Sequence, residues 1–326
     1  MLATLALWAV CSTAGVTAWW AELLRFLPFP VYLAPAVLAL VASAWLRWPW
    51  RLASLGCLVV VLVGVMDLKW GRADTDQVSF RLMTWNVKAF AHTRTPGRDQ
   101  RIALELLEHA PDVVVMQDAV DYTRPDAALP EPIALALRDH TIYRHDQYVV
   151  ASRLPLTQCR AQPMPVRDEP RDFVRCVLRV GETDVDLVTA HLLSPREGLN
   201  AARHDWLDGG LDDWEQNYHD RLMQVATLVR HLAGNPRPLI LAGDLNAAEA
   251  SPVVRSLKEL GLRDAFDSAG RGYGYTHGHS LKPRFSFLRI DHVLVSPQIS
   301  VARCEAGGAD ASEHRPVIAD LLIRRD

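Results

Sequence analysis

Hydrophobic and polar positions divide the chain near residue 70. Before that point lie three apolar runs. Leu2–Trp20 and Phe29–Leu46 carry no charge, and Leu52–Met66 is rich in Val and Leu. A helix crosses the hydrocarbon core with about 20 apolar residues and with roughly 17 at the lower limit. The runs therefore predict three thin or tilted spans, the third reaching Leu68 if Asp67 sits at the interface. Trp19, Trp20, Trp45, Trp48, Trp50 and Trp70 cluster at the run ends, as interfacial aromatic belts do. Beyond a polar linker, Gly71–Gln77, the pattern shortens. Strands are predicted at Phe80–Val87, Val113–Gln117, Tyr148–Ser152, Thr157–Met164, Phe173–Val180, Asp184–Ala190, Leu239–Ala242, His292–Val295 and Val317–Ile323. Helices are predicted at Gln100–His109, Arg221–Ala233 and Pro252–Leu260; the second rests on Leu222, Val225, Leu228, Val229 and Leu232 at spacings of three and four. Ser194–Asp220, acidic and carrying Trp206 and Trp214, reads as an unusually long connection. Several strands follow one another without helices between them, which argues for mixed sheets with helices outside.

Composition sharpens this division. The chain has 326 residues, 49% hydrophobic and 22% charged, which excludes wholesale disorder. Its mean hydropathy of +0.02 is high for a soluble enzyme, and the front end accounts for that. Of 35 basic and 38 acidic residues, five and two lie in residues 1–72, leaving 30 and 36 beyond and a net of −6 there. Nucleic acid is thus the less favoured partner, although 30 basic residues leave room for a local basic patch. The loop Arg47–Arg51 holds two arginines and no acid, which places it in the cytoplasm. Everything after Trp70 is then external, making this a multi-pass inner-membrane protein with a periplasmic or extracellular domain. Cys159 and Cys176 lie in neighbouring predicted strands. Two readings stand: small buried hydrophobes, or a pair bonded in an oxidising compartment. The expected organisation is a membrane domain over 1–70, a linker over 71–77 and a catalytic domain over 78–326.

Candidate chemistry sits where strands end. Asn86, Asp118, His191, Asp244 and Asn246 follow strands; Asp291 opens one; Glu313 and His314 precede the last. Antiparallel neighbours would gather them at one mouth. Carboxylates and amides without cysteine suit Mg²⁺ or Mn²⁺ rather than zinc. A His–Asp pair supplies an oriented imidazole. These parts suit phosphoester hydrolysis, which needs charge neutralisation, an activated water and a helped leaving group.

The ordered set Thr-Trp-Asn86-Val, Met-Gln117-Asp118, Thr-Ala-His191-Leu, Gly-Asp244-Leu-Asn246, Arg-Ile-Asp291-His and Ser-Glu313-His314 resembles the endonuclease/exonuclease/phosphatase superfamily over roughly residues 78–325. The three-span front end is similar to a membrane-anchored bacterial branch with an external catalytic domain, some of whose members are linked to lipid-carrier phosphates. The resemblance implies an α/β four-layer sandwich, two mixed sheets flanked by helices, as in pancreatic deoxyribonuclease. It implies Asp118 as main metal ligand with Asn86 beside it and Glu313 adding a carboxylate. It gives Asp244 the attacking water, Asn246 a phosphoryl oxygen, and His191 the phosphate and leaving group. His314 becomes the catalytic imidazole, oriented by Asp291. The family usually has Gln-Glu where this chain has Gln117-Asp118, and Ser-Asp-His where it has Ser312-Glu313-His314; the shorter and the longer acid would compensate if both face one metal. Tyr148 and Arg175 are further phosphate-contact candidates. His277 and His279, on a Gly-rich stretch, are expected on a solvated loop, with a loop bordering the mouth as the alternative.

Overall fold

The computed structural model describes residues 6, 8–10, 18–90, 95–125, 128–167, 170–205, 209–281 and 285–324. Two six-stranded mixed sheets lie face to face. The first runs β11–β12–β1–β2–β4–β3, with β1 Phe80–Asn86, β2 Val113–Gln117, β3 Thr141–His145, β4 Tyr148–Ser152, β11 Ile299–Ala306 and β12 Val317–Ile323. The second runs β9–β10–β8–β7–β6–β5, with β5 Leu156–Pro163, β6 Asp172–Val180, β7 Thr183–Thr189, β8 Leu239–Asp244, β9 Arg263–Asp264 and β10 Asp291–Val295. Each sheet holds one parallel pair near its middle, β1 with β2 and β7 with β8; every other pairing is antiparallel.

Alternation along the strands builds the layers. Phe80 and Leu82 of β1 face the second sheet, in a core shared with Val174, Cys176, Leu187 and Ile240. Met83 and Trp85 point the other way, onto Ile102 and Leu106 of helix α4, Arg98–His109. On the far side, Leu241 and Leu294 meet Val225 and Leu228 of α6, Gly210–Leu232, and Val254 of α7, Pro252–Lys258. The result is helix, sheet, sheet, helix, as expected. Cys159 and Cys176 are disulfide-bonded between β5 and β6.

Three strands escaped the sequence pattern, one of them the two-residue β9. β3 is an edge strand of half-exposed residues, and β11 carries Arg303 and Glu305 among its apolar positions. Most of Ser194–Asp220 is helical rather than a loop: α5 spans Arg196–His204, and α6 starts at Gly210. Trp206 lies outside the described residues.

Ahead of the sheets come α1 Trp19–Arg25, α2 Pro30–Ala42 and α3 Trp48–Val59, the last running into a π-helical stretch Val60–Val65. Among the described residues one helix, Trp48–Val65, is long and apolar enough to cross a membrane, with a mean hydropathy of 1.7. Trp19–Arg25 and Pro30–Trp45 pass that test only as a pair bent by 71°. The first apolar run, Leu2–Trp20, falls largely outside the described residues.

Candidate active site

The two parallel pairs end at one edge, where open α/β sheets offer their binding crevice. Asn86 and Gln117 close β1 and β2 side by side. Asp244, the last residue of β8, lies directly across from Asp291, the first of β10. Three of the strand exits pass through the left-handed region: Lys88 at φ 48°, Asp118 at 51° and Asn246 at 47°. Asn and Asp tolerate this conformation and Lys less so; such strain gathers at functional sites. Buried Gln117 ties the sheets together, donating to Thr84 Oγ1 at 3.1 Å and Thr189 Oγ1 at 2.9 Å.

The mouth holds a dense constellation. His314 Nδ1 donates to Asp291 Oδ2 at 2.9 Å and lies 3.8 Å from Asp244 Oδ2. Asn86 Nδ2 donates to Asp244 Oδ2 at 2.9 Å. His191 Nε2 is 3.6 Å from that same oxygen, while its Nδ1 donates to Gln147 Oε1 at 2.6 Å and lies 3.5 Å from Asp118 Oδ1. Lys88 Nζ donates to Asp118 Oδ2 at 2.6 Å. The main-chain N–H of Asn246 donates to Asp244 Oδ1 at 2.9 Å, and its Nδ2 to Leu192 O at 2.9 Å. His277 packs its ring on His314, centroids 4.5 Å apart.

Burial dominates the electrostatics. It lifts Asp291 from the usual 3.8 to about 7, and it raises Asp244, with the charge of Asp291 adding to the effect. Burial presses His314 down to about 4 and, helped by the neighbouring His314, His277 to about 2. Burial alone would raise Asp118 too, but His191 and Lys88 outweigh it and hold that carboxyl well below the usual range. Two carboxylates face to face across a strand pair repel, and among the described residues Asp291 Oδ1 is buried without a hydrogen-bond partner. One oxygen of each acid and one nitrogen of His314 lie within 4.8 Å of one another. This donor set fits a divalent cation: oxygen-rich, anionic and short of a positive partner.

The structure brings together Asn86, Asp118, His191, Asp244, Asn246, Asp291 and His314. It keeps three predicted residues out. Glu313 turns its carboxylate outward to Arg196 Nη2 at 3.0 Å, so it does not share an ion with Asp118 here. Arg175 shares the helix-facing side of β6 with Phe173 and bonds Asp186 at 2.7 Å and Asn235 at 2.9 Å. Tyr148 is fully buried beneath the site; its hydroxyl donates to Asp172 O and accepts from the His191 N–H, both at 2.9 Å. His277 is buried against the site rather than on a solvated loop. Lys88 and Gln147 went unnoticed in the sequence. Lys88 follows the Asn86 motif by two residues, its one available signal.

The sequence model described as Endonuclease/Exonuclease/phosphatase family matches residues 83–314. No curated protein matches the chain significantly. Among solved structures, an endonuclease/exonuclease/phosphatase from Beutenbergia cavernae is 21% identical over 75% of this chain and 72% of its own, with a TM-score of 0.54. One from Bacteroides vulgatus is 16% identical over 75% and 99%, with a TM-score of 0.57. D. rerio TDP2 complexed with a single-strand DNA product is 15% identical over 74% and 98%, with a TM-score of 0.54. The fold and site define an α/β sandwich of the phosphoesterase type, whose members generally hydrolyse phosphoesters. The chain belongs to the Endonuclease/Exonuclease/phosphatase family.

Proposed function

We propose that this protein is a Mg²⁺-dependent phosphoester hydrolase, with Mn²⁺ as a substitute, acting at a membrane surface on a lipid-linked or other extracytoplasmic phosphate. The observation that carries the chemistry is the His314–Asp291 pair set against Asp244, with Asp291 Oδ1 unpartnered among the described residues. Asp244, Asp291 and Asp118, with Asn86 beside them, would hold the ion, which would supply charge neutralisation at the phosphoryl group. The protein's own part is proton handling and orientation. Asp291 accepts from His314 Nδ1, fixing the tautomer that leaves Nε2 free to exchange a proton with a water or leaving group. Asn86 Nδ2 and the Asn246 N–H steer the two Asp244 oxygens. Gln147 and Tyr148 set the ring and backbone of His191.

Three features support the membrane setting. Trp48–Val65 has the length and hydropathy of a span. The disulfide Cys159–Cys176 belongs in an oxidising compartment. Helix α1, with Glu22 and Arg25 and external by the charge rule, packs on the catalytic domain, as shared sidedness requires. The domain boundaries proposed are 1–70, 71–77 and 78–326.

The test uses the full chain in detergent with Mg²⁺, His314→Ala and a chelator as controls. Phosphate release from a polyprenyl pyrophosphate is run beside a generic phosphodiester and DNA. Lipid pyrophosphate turnover lost in both controls is the expected result. DNA cleavage alone would move the assignment to a tethered nuclease, and inactivity on all three would leave a non-catalytic binding module.

A further inference from the structure

Helix α1 reaches into the catalytic domain with a charge. The Glu22 side chain is completely buried. Its Oε1 accepts from Ser251 Oγ at 2.7 Å and from Arg221 Nη1 at 3.4 Å; Oε2 accepts from Arg25 Nη1 at 2.6 Å. Arg221, equally buried on α6, uses the same Nη1 to donate to the main-chain oxygen of Asn246 at 3.2 Å. Its Nε donates to Asn217 Oδ1 at 3.2 Å, and its guanidinium lies over Phe26 and Trp214. Trp214 in turn donates to the main-chain oxygen of Trp19 at 3.0 Å. α6 also grips the chain beyond His191: Gln224 Oε1 accepts from the Leu193 N–H at 2.7 Å, and Asn217 Nδ2 donates to Ser194 O at 2.9 Å.

A fully buried ion pair is a poor device for stability, since apolar residues of similar volume usually serve as well. This one has a specific target. Asn246 stands at φ 47°, a conformation its neighbours must hold, and its N–H and Nδ2 contact Asp244 and the chain after His191. We propose that Glu22 and Arg221 are positioning residues: docking of α1 holds Arg221 against the Asn246 carbonyl and so sets Asp244 and Asn246 for the reaction. The N-terminal segment is then part of the catalytic unit and not only a tether. The inference rests on the hydrolase reading above.

The experiment is a double-mutant cycle in the full chain: wild type, Glu22→Ala, Asn246→Ala and both, with Glu22→Gln as the variant that keeps an acceptor. Rates are measured on bis-p-nitrophenyl phosphate with Mg²⁺, and amide exchange is followed in peptides covering 192–195 and 244–251. Glu22→Ala is expected to lower kcat by about tenfold to a hundredfold, the scale of a misplaced reacting group, with KM little changed. The double variant should be no slower than Asn246→Ala alone, Glu22→Gln should recover most of the rate, and both peptides should exchange faster in Glu22→Ala. Fully multiplicative losses would show a general structural role and overturn the proposal, as would unchanged exchange over 244–251. If Glu22→Ala does not fold, Glu22→Leu, which fills the volume but offers no acceptor, takes its place in the cycle under the same criteria. If the wild type itself is inactive, the exchange result still decides whether α1 holds this loop, and the failure falls on the hydrolase reading.

Discussion

Replacing Asp291 by Asn should make the metal-free protein more stable while abolishing its activity. Asp291 is buried directly across from Asp244, and its carboxyl titrates near 7 in the folded chain against 3.8 in an exposed one. Because the folded value is raised, ionisation works against folding. The penalty is absent well below pH 4, grows between pH 4 and 7, and is complete above 7. A displacement of about three pH units at 1.36 kcal/mol each corresponds to about 4 kcal/mol at pH 8 and about 2 kcal/mol at pH 5. Asn is nearly isosteric, carries no charge, and its carbonyl can still accept from His314 Nδ1. Thermal unfolding in chelator, followed by tryptophan fluorescence, should show Asp291→Asn melting roughly 10 °C higher at pH 8 and about half that at pH 5. Excess Mg²⁺ should narrow the gap, because a cation between the carboxylates relieves the repulsion in the wild type only. A variant less stable at pH 8, or an offset that does not change with pH, would refute the reasoning.

Other consequences follow from the same geometry. Lys88→Gln removes the cation lying 2.6 Å from Asp118; the Mg²⁺ concentration for half-maximal activity should fall, and an unchanged value would exclude Asp118 as a ligand in competition with Lys88. The paired substitution Cys159→Ser and Cys176→Ser opens a link spanning a sequence separation of 17. It should lower stability by about 3 kcal/mol on the chain-entropy estimate, and reductant should reproduce the loss in the wild type; insensitivity to both would show that the bond does not form. Glu182 is fully exposed on the catalytic domain, whereas Trp48 opens the Trp48–Val65 span at its cytoplasmic end in the proposed topology. A membrane-impermeant maleimide on intact cells should label Glu182→Cys but not Trp48→Cys, and the reverse pattern would invert the orientation.

How much of this was legible in the sequence depends on which force placed each residue. β1, β2, β4, β6, β7, β8, β10 and β12 were visible because they are buried on one or both faces, so burial imposes near-continuous or alternating apolar runs. Asn86, Asp118, His191, Asp244, Asn246, Asp291 and His314 were visible because each marks a strand end, and strand ends of parallel pairs converge. The first half of α6 was not: it fills its buried face with Trp214, Asn217 and Asp220, which read as part of a long acidic connection until their partners are known. Arg175 and Glu313 show the converse. Each has the right chemistry at a plausible position, but Asp186 and Arg196, brought close only by folding, draw them away. Sequence alone therefore determined the mixed sheets with helices outside and the apolar front end, which follow from local periodicity, and the ordered site motifs, whose family resemblance implied the four-layer sandwich. Which charges pair, that Glu22 of α1 reaches Asn246 through Arg221, and that Asp244 faces Asp291 were decided by tertiary structure, because such contacts join residues up to 199 positions apart and leave no trace in local pattern.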